Sequence, residues 1–261
     1  MRKGREAEVA IRAAKAAGKL IMSHYGKLHR IKFKGARLGI VTEADVAAQK
    51  KIKAVIRKAY PNAGFLAEED KKHPEISDKP VWVVDPLDGT SNYSRGIKSF
   101  AVSIALVKNR VPFVGVVLDP STGDIFYAQR GKGAYLNDCK IKVSNEKDTT
   151  KAFYDIPLSN RRGMRKRHLK TLKKLLPIMG NLRIIGSAAL RLSFLAAGRL
   201  DAYIEYGVFA WDVAAGILIL EEAGGKITNF KGKKFMIFSP NDTIVATNGK
   251  IHQKIILGLN K

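Results

Sequence analysis

Residues 81–90 read Val-Trp-Val-Val-Asp-Pro-Leu-Asp-Gly-Thr, and no other stretch limits the fold of this chain so tightly. Four apolar residues rich in β-branched types predict a buried strand. Two carboxylates, Asp85 and Asp88, stand directly at its end, before Gly89 and Thr90. Pro86 fixes one backbone torsion and Gly89 permits an unusual one, so a sharp turn is expected where the acids sit. Two carboxylates forced together repel unless a proton or a cation lies between them. Taken alone, the residues also read as an ordinary Pro/Asp/Gly turn. The acids elsewhere in the chain decide between these readings.

Such a strand needs a core, and 261 residues, 46% of them hydrophobic, can bury one as a large domain or two smaller ones. A single cysteine, Cys139, excludes an internal disulfide and fits a cytosolic setting, its thiol read as structural. The basic start, Met1 to Arg5, runs into Glu6, Glu8, Arg12 and Lys15, which interrupt any signal-peptide core. No apolar run approaches membrane-spanning length. A soluble, cytoplasmic protein is expected. The net charge of +24 permits two readings. It is either a field that attracts nucleic acid, acidic membrane surfaces or phosphorylated metabolites, or a lysine-rich solvated surface without a partner.

In chain order, Arg5–Tyr25 carries Val9, Ala13, Ala17, Leu20 and Ile21 at helical spacing and ends at Gly26. Ile31–Lys34 predicts a short strand before a loop at Gly35–Gly39. Thr42-Glu43-Ala44-Asp45 opens a second helix, with Thr42 and Asp45 as an N-cap pair, and Tyr60-Pro61 stops it. Phe65-Leu66-Ala67 leads into Glu68-Glu69-Asp70, a run that by default is a solvated loop. Ser99–Val107, Val111–Leu118 and Ile125–Gln129 predict an antiparallel meander. Gly131-Lys132-Gly133 opens no helix and continues no dinucleotide fingerprint. The polar stretch Asn137–Asp148 marks a boundary between an N-terminal part at 1–140 and a C-terminal part at 141–261. The second part alternates: strand Ala152–Ile156, helix Arg161–Leu176, strand Leu182–Ile185, helix Ser187–Ala197, strand Asp201–Tyr206, then a helix from Trp211-Asp212 through Glu222. Alternation of this kind predicts a layered α/β unit. Asp212 falls in a helix's first turn, where the helix N-terminus favours a carboxylate without any catalysis.

Glu68, Asp85, Asp88 and Asp212 thus stand as carboxylates at the ends of apolar elements. The histidines at 24, 29, 73, 168 and 252 show no zinc-ligand spacing, and thiolate ligands are absent. All-oxygen ligands suit hard cations, Mg²⁺ above all, and such clusters beside Gly-Thr backbone donors belong to phosphate chemistry. Five motifs occur in order: Val41-Thr42-Glu43-Ala44-Asp45, Glu68-Glu69, Asp85 through Thr90, Gly186-Ser187-Ala188-Ala189, and Trp211-Asp212 with Glu221 and Ala223-Gly224-Gly225 downstream. With them the chain resembles the lithium-sensitive phosphatase superfamily. The match is to the inositol monophosphatases and the archaeal-type enzymes that also hydrolyse fructose 1,6-bisphosphate. It departs at Ala67, where that family usually has Gly.

The resemblance implies an α/β fold of layered α/β/α/β/α type, a homodimer, and two or three Mg²⁺ per site with Mn²⁺ able to substitute. It implies that Glu68, Asp85 and the Leu87 carbonyl hold one metal and that Asp85, Asp88 and Asp212 hold a second. Glu69 would help position a water or a third ion. Asp45 and Thr90, with Glu68 as a further catalytic group, would orient the attacking water. The amides of Gly89 and Thr90 would grip the phosphate. Asp88, Gly186, Ser187, Ala188 and Glu205 would meet the hydroxyls of a phosphorylated sugar or cyclitol. Leu87-Asp88-Gly89-Thr90 also looks like the haloacid-dehalogenase nucleophile loop, but that loop separates its two aspartates by one residue, not two.

The substrate is less defined than the reaction. Inositol 1-phosphate needs one phosphate site, and fructose 1,6-bisphosphate needs a second basic site. Arg191 is the first candidate for it, ahead of the run Arg161, Arg162, Arg165 and Lys166. A nucleotide such as 3′-phosphoadenosine 5′-phosphate is an alternative substrate. A non-catalytic, nucleic-acid-binding or regulatory protein on the same scaffold is the rival reading, supported by charge and by no recognition motif.

Overall fold

Small residues at helical spacing build the outermost layer. The computed structural model describes residues 3–26, 32–33, 40–158, 162–239 and 243–260, with the backbone only at 32, 33, 40 and 162. Helix α1 (Arg5–His24) buries Ala7, Ala10, Ala13, Ala14, Ala17 and Ile21 along one stripe, with Glu6 and Glu8 in the turn where a helix favours acids. Strands β1 (Lys32–Phe33) and β2 (Ile40–Val41) pair briefly, and the loop expected at 35–39 lies outside the described residues. Helix α2 (Glu43–Ala59) follows and packs Ala44, Ala48, Ile52 and Ile56 into the same apolar cluster as α1.

The first sheet runs in simple chain order. It comprises β3 (Gly64–Ala67), β4 (Val81–Asp88), β5 (Ala101–Lys108), β6 (Val111–Leu118), β7 (Ile125–Gln129), β8 (Ala134–Leu136) and β9 (Cys139–Lys140), with a short helix α3 (Thr90–Ser94) between β4 and β5. β3 and β4 are parallel, and each later neighbour is antiparallel, so the expected meander is present. β8 and β9 were not expected. They form around Asn137-Asp138, both at positive φ, a conformation these two residue types tolerate and tight hairpins require.

The sharp turn expected at Asp85–Asp88 is corrected by the structure. β4 continues through Asp88, with Asp85 opposite Ser103 and Asp88 opposite Ala101, so one extra residue is taken up as a bulge. β3 ends opposite Val84, which leaves Pro86 beyond its reach, where a strand tolerates a missing N–H. The chain turns only at Gly89, whose φ is 95°.

The second sheet is mixed. Its elements are β10 (Phe153–Asp155), α4 (Arg162–Leu175), β11 (Asn181–Arg183), α5 (Ala188–Ala196), β12 (Ala202–Tyr206), α6 (Ala210–Glu222), β13 (Lys226–Thr228), β14 (Thr243–Thr247) and α7 (His252–Asn260). The strand order is β11-β10-β12-β14-β13, with β10 parallel to both neighbours and the other pairs antiparallel. The alternation through α6 follows the sequence expectation.

Period-two alternation along β4 then stacks the layers. Trp82 and Val84 join the cluster of α1 and α2, whereas Val83 joins a cluster with α5 and α6. That second cluster also holds Tyr203, Ile244 and Ala246 from the second sheet, so α5 and α6 form the middle layer. α6 is apolar nearly all round, as a helix covered on both sides must be. α4 and α7 cover the outer face of the second sheet through Leu175, Ile255 and Ile256. The result is the α/β/α/β/α order. α6 lies close on β6, since a Cβ on Gly115 would stand 2.6 Å from the Ala215 carbonyl oxygen.

His252 opens α7 between two threonines. Thr228 Oγ1 lies 2.9 Å from the Asn229 carbonyl and 2.9 Å from Nε2, and Thr247 Oγ1 lies 2.9 Å from Nδ1. The Thr228 hydroxyl gives its hydrogen to the carbonyl, so Nε2 donates and Nδ1 accepts, which is the neutral ring. Burial, with Lys226 adding to it, lowers the pKa to about 4. A folded value below the ordinary one means stability that is complete above about pH 6.5 and lost as pH falls towards 4. The urea midpoint of the wild type should therefore drop more between about pH 7 and 4.5 than that of His252→Gln. Parallel pH profiles would remove His252 from the acid response.

Candidate active site

The β4 bulge aims two carboxylates with its own backbone. Asp85 Oδ1 accepts from the Leu87 N–H at 3.0 Å, which holds the bulge closed. A Cβ on Gly89 would stand 2.8 Å from the Ser99 carbonyl oxygen, so no larger residue fits where the chain enters α3. Thr90, the first residue of α3, has its hydroxyl 2.9 Å from both Asp45 Oδ1 and the Leu87 carbonyl, and it donates to one at a time. Asp45 is the third residue of α2. Its Oδ2 accepts from the Thr42 N–H (2.8 Å) and hydroxyl (2.5 Å), so the expected capping pair exists and its second oxygen turns to Thr90.

Helix N-termini of the middle layer supply the rest. Asp88 Oδ2 accepts from Ser187 Oγ and the Ala189 N–H, both at 2.7 Å, at the start of α5. Asp212 Oδ2 accepts from the Phe209 N–H at 2.7 Å, at the start of α6. Glu68 follows β3 directly, and its N–H extends the ladder to the Val84 carbonyl at 3.1 Å. The acidic run is not a solvated loop. Gln49 Oε1 accepts from the Glu69 N–H at 2.9 Å, and Gln49 and Lys53 of α2 hold Asp70 at 3.0 and 2.6 Å.

These acids repel one another. Burial first, then Glu68, Asp88 and Asp212, push Asp85 well above the usual carboxylate range. Asp212 is likewise raised, by burial and then by Asp88 and Glu68. Asp88 is pushed up to about 6 by burial, against the opposing donors Ser187 and Ala189 and the charge of Arg191. Burial also raises Asp45, against its Thr42 and Thr90 hydrogen bonds. A set like this is stable only with protons or cations among the oxygens. In Asp88 and Asp212 the chain's hydrogen bonds described above fall on one oxygen each, and Asp85 shares a further side-chain hydrogen bond with Glu68. Among the described residues no three His, Cys, Asp or Glu side chains stand in a metal-holding arrangement. The fit to a hard cation therefore rests on the all-oxygen donors and their mutual repulsion.

A cavity of about 320 Å³ opens beside them and brings Asp88 and Asp212 together with Gly186, Ala188, Arg191 and Glu205. Asp45, Glu68, Asp85 and Thr90 do not line it. Arg161 lies outside the described residues, and Arg165 and Lys166 are exposed on α4. Arg191 is buried: its Nε lies 2.7 Å from Asp155 Oδ1 and its Nη1 3.0 Å from Glu205 Oε2. The Tyr203 hydroxyl also donates to Glu205 Oε2.

Sequence reasoning missed Asp155, Asn92 and His73. Asp155 is a lone acid in an otherwise apolar strand, and that was the available signal. Asn92 Nδ2 donates to the Ser99 and Ile185 carbonyls at 2.8 and 2.9 Å, tying α3 to the loop before Gly186. The His73 ring stacks on Trp211 at 4.9 Å, linking the loop after the acidic run to α6, and no local pattern announces it.

The inositol monophosphatase family model matches residues 5–260. The chain belongs to the inositol monophosphatase family. It is 41% identical over 226 residues to the Nus factor SuhB of Xylella fastidiosa, covering 86% of this chain and 82% of that protein. It is 34% identical over 260 residues to the fructose-1,6-bisphosphatase/inositol-1-monophosphatase of Thermotoga maritima, covering 97% and 95%. Among solved structures, the extragenic suppressor protein suhB of Bartonella henselae superposes with a TM-score of 0.92 at 35% identity, over 99% of both chains. The Thermotoga maritima IMPase gives 0.89 at 32% identity, over 98% of this chain and 97% of that one. Membership of this family and these phosphatase relatives support phosphomonoesterase activity. Among the described residues no helix is long and apolar enough to cross a membrane.

Asp212→Asn separates capping from chemistry. Asn keeps an acceptor for the Phe209 N–H and removes one of the repelling charges. The thermal midpoint without added metal at pH 7 should hold or rise, because a carboxylate with a raised pKa costs stability when ionised. Turnover should fall by a factor on the order of 10² or more. Normal turnover in the folded variant would exclude Asp212 from the site.

Proposed function

We propose that this chain hydrolyses small phosphomonoesters, inositol 1-phosphate or fructose 1,6-bisphosphate foremost, with Mg²⁺ as its cofactor. The carrying observation is the gathering of buried Asp85, Asp88 and Asp212, each fastened by a fixed donor, with Asp88 and Asp212 lining a cavity. The inositol monophosphatase family is metal-dependent, generally on Mg²⁺. Glu68, Asp85 and the Leu87 carbonyl would hold one ion, Asp85, Asp88 and Asp212 a second, and Glu69 a weaker third. Bound there, such cations neutralise phosphate charge and lower the pKa of an attacking water.

The chain's own residues do the positioning. When Thr90 donates to Asp45, its oxygen lone pairs remain to accept from a water and fix its orientation. The N–H groups of Gly89 and Thr90, at the start of α3, lack intrahelical acceptors, as helix-end donors do, and would grip a phosphate oxygen. Ser187 and Ala189 keep Asp88 from swinging away. Most of phosphoryl transfer is positioning and charge stabilisation, so no protein nucleophile is needed. Leu158, Met164, Ile184 and Phe209 add apolar lining to the cavity, which favours a nucleotide base as a second reading. A structural neighbour, SaIMPase-II, 30% identical with a TM-score of 0.81, was solved with 2′AMP bound. The non-catalytic reading draws on the +24 charge and on relatives bearing the Nus factor name.

Purified protein should hydrolyse one or more of inositol 1-phosphate, fructose 1,6-bisphosphate and 3′-phosphoadenosine 5′-phosphate when Mg²⁺ is supplied. Exhaustive EDTA treatment should abolish turnover and Mg²⁺ restore it. Full activity after EDTA would overturn the reading, and a phosphate trapped on Asp85 or Asp88 would favour the phosphoenzyme alternative.

A further inference from the structure

The far wall of the cavity carries a cation that is already matched. Arg191 is 4% exposed and sits in the first turns of α5. Asp155, fully buried at the end of β10, meets its Nε, and Glu205 on β12 meets its Nη1. Asp155 is fixed in turn, because its Oδ2 accepts from the Ile185 N–H at 2.7 Å. One positive charge thus stands between two negative ones, and Asp88 and Asp212 line the same cavity. We propose that Asp155 is a positioning residue that pins Arg191 against Glu205, so that this wall binds sugar hydroxyls and disfavours a second phosphate.

The physical reasons are charge and donor geometry. A guanidinium with two carboxylates at contact distance presents donors without a net positive field. Glu205, receiving Arg191 and Tyr203 on one oxygen, has its other oxygen as an acceptor for a hydroxyl. A hydroxyl both donates and accepts and so satisfies such a pair, whereas a phosphate only accepts and meets a local excess of negative charge. Burial raises Asp155 to about 6, so above pH 7 the carboxylate is charged and the wall keeps this balance. Asp155 touches Arg191 and not the cavity, which is why its effect must appear as selectivity.

This inference rests on the phosphatase reading above, and the experiment separates the two. Fructose 1-phosphate and fructose 1,6-bisphosphate differ only in the far phosphate. At pH 8 with Mg²⁺, wild type should favour the monophosphate by about tenfold in kcat/KM, the effect of one unfavourable charge contact. Raised ionic strength should narrow that ratio. Asp155→Asn and Glu205→Gln each remove one negative charge and should each shift the ratio towards the bisphosphate, mostly through KM, and the double variant should shift it further. A merely structural Asp155 would lower both substrates in proportion, and that result would overturn the proposal, as would a wild type that prefers the bisphosphate. Calorimetric titration of both sugars into wild type with Mg²⁺ gives a readout without turnover. If neither sugar is hydrolysed, and inositol 1-phosphate and 3′-phosphoadenosine 5′-phosphate are not either, the phosphatase reading fails, while tighter binding of the bisphosphate would still overturn this inference and tighter binding of the monophosphate would still support it.

Discussion

Repulsion among buried carboxylates is the constraint on which the rest of this molecule depends. Asp85 and Asp88 come from one bulged strand and Asp212 from a helix far along the chain; burial first raises all three, and Glu68 adds to each. Left alone, side chains would rotate apart. Each is instead fastened by a donor that belongs to a rigid element: the bulge amide of Leu87, the start of α5, the start of α6. The fold therefore stores an arrangement that only a bound cation or proton can relieve.

The second constraint is that no single region owns the site. Residues before 140 supply Glu68, Asp85 and Asp88, while the helices that secure Asp88 and carry Asp212 come from later in the chain. One apolar cluster contains residues of both sheets and of α5 and α6. The acidic loop is braced by α2 on one side, through Gln49 and Lys53, and by the His73–Trp211 stack on the other. Truncating a partner of the Asp155–Arg191–Glu205 group would leave a buried charge unmatched, which generally costs about 3–5 kcal/mol. That group ties β10, α5 and β12 together just behind the cavity wall.

The parts legible in the sequence were those set by neighbours along the chain. The strand at Val81–Val84, the capped start of α2 and the meander from β5 to β7 follow from local period and turn chemistry. The layer order did not come from periodicity; it came with the family resemblance, because helix and strand patterns do not say which face meets which. Bulge geometry at Pro86 is indistinguishable from a turn along the chain, since a Pro-Leu-Asp-Gly run looks alike in both cases and only the partner strand β5 distinguishes them. The acids stood out because the chain has few of them beside its many lysines. Asp155 did not, because its meaning depends on Arg191, far along the chain, folding back against it.

Gly115 gives the architecture an uncommon kind of gauge. With no side chain there, helix α6 rests on strand β6 backbone to backbone, at the Ala215 carbonyl. The gap between the sheet that carries Asp85 and the helix that carries Asp212 is then set by peptide planes rather than by the size of apolar side chains. Cores usually drift by exchanging one aliphatic residue for another, and each exchange shifts its surroundings slightly. Here such drift can run through the middle layer while the calliper between the two carboxylates stays closed to the same width.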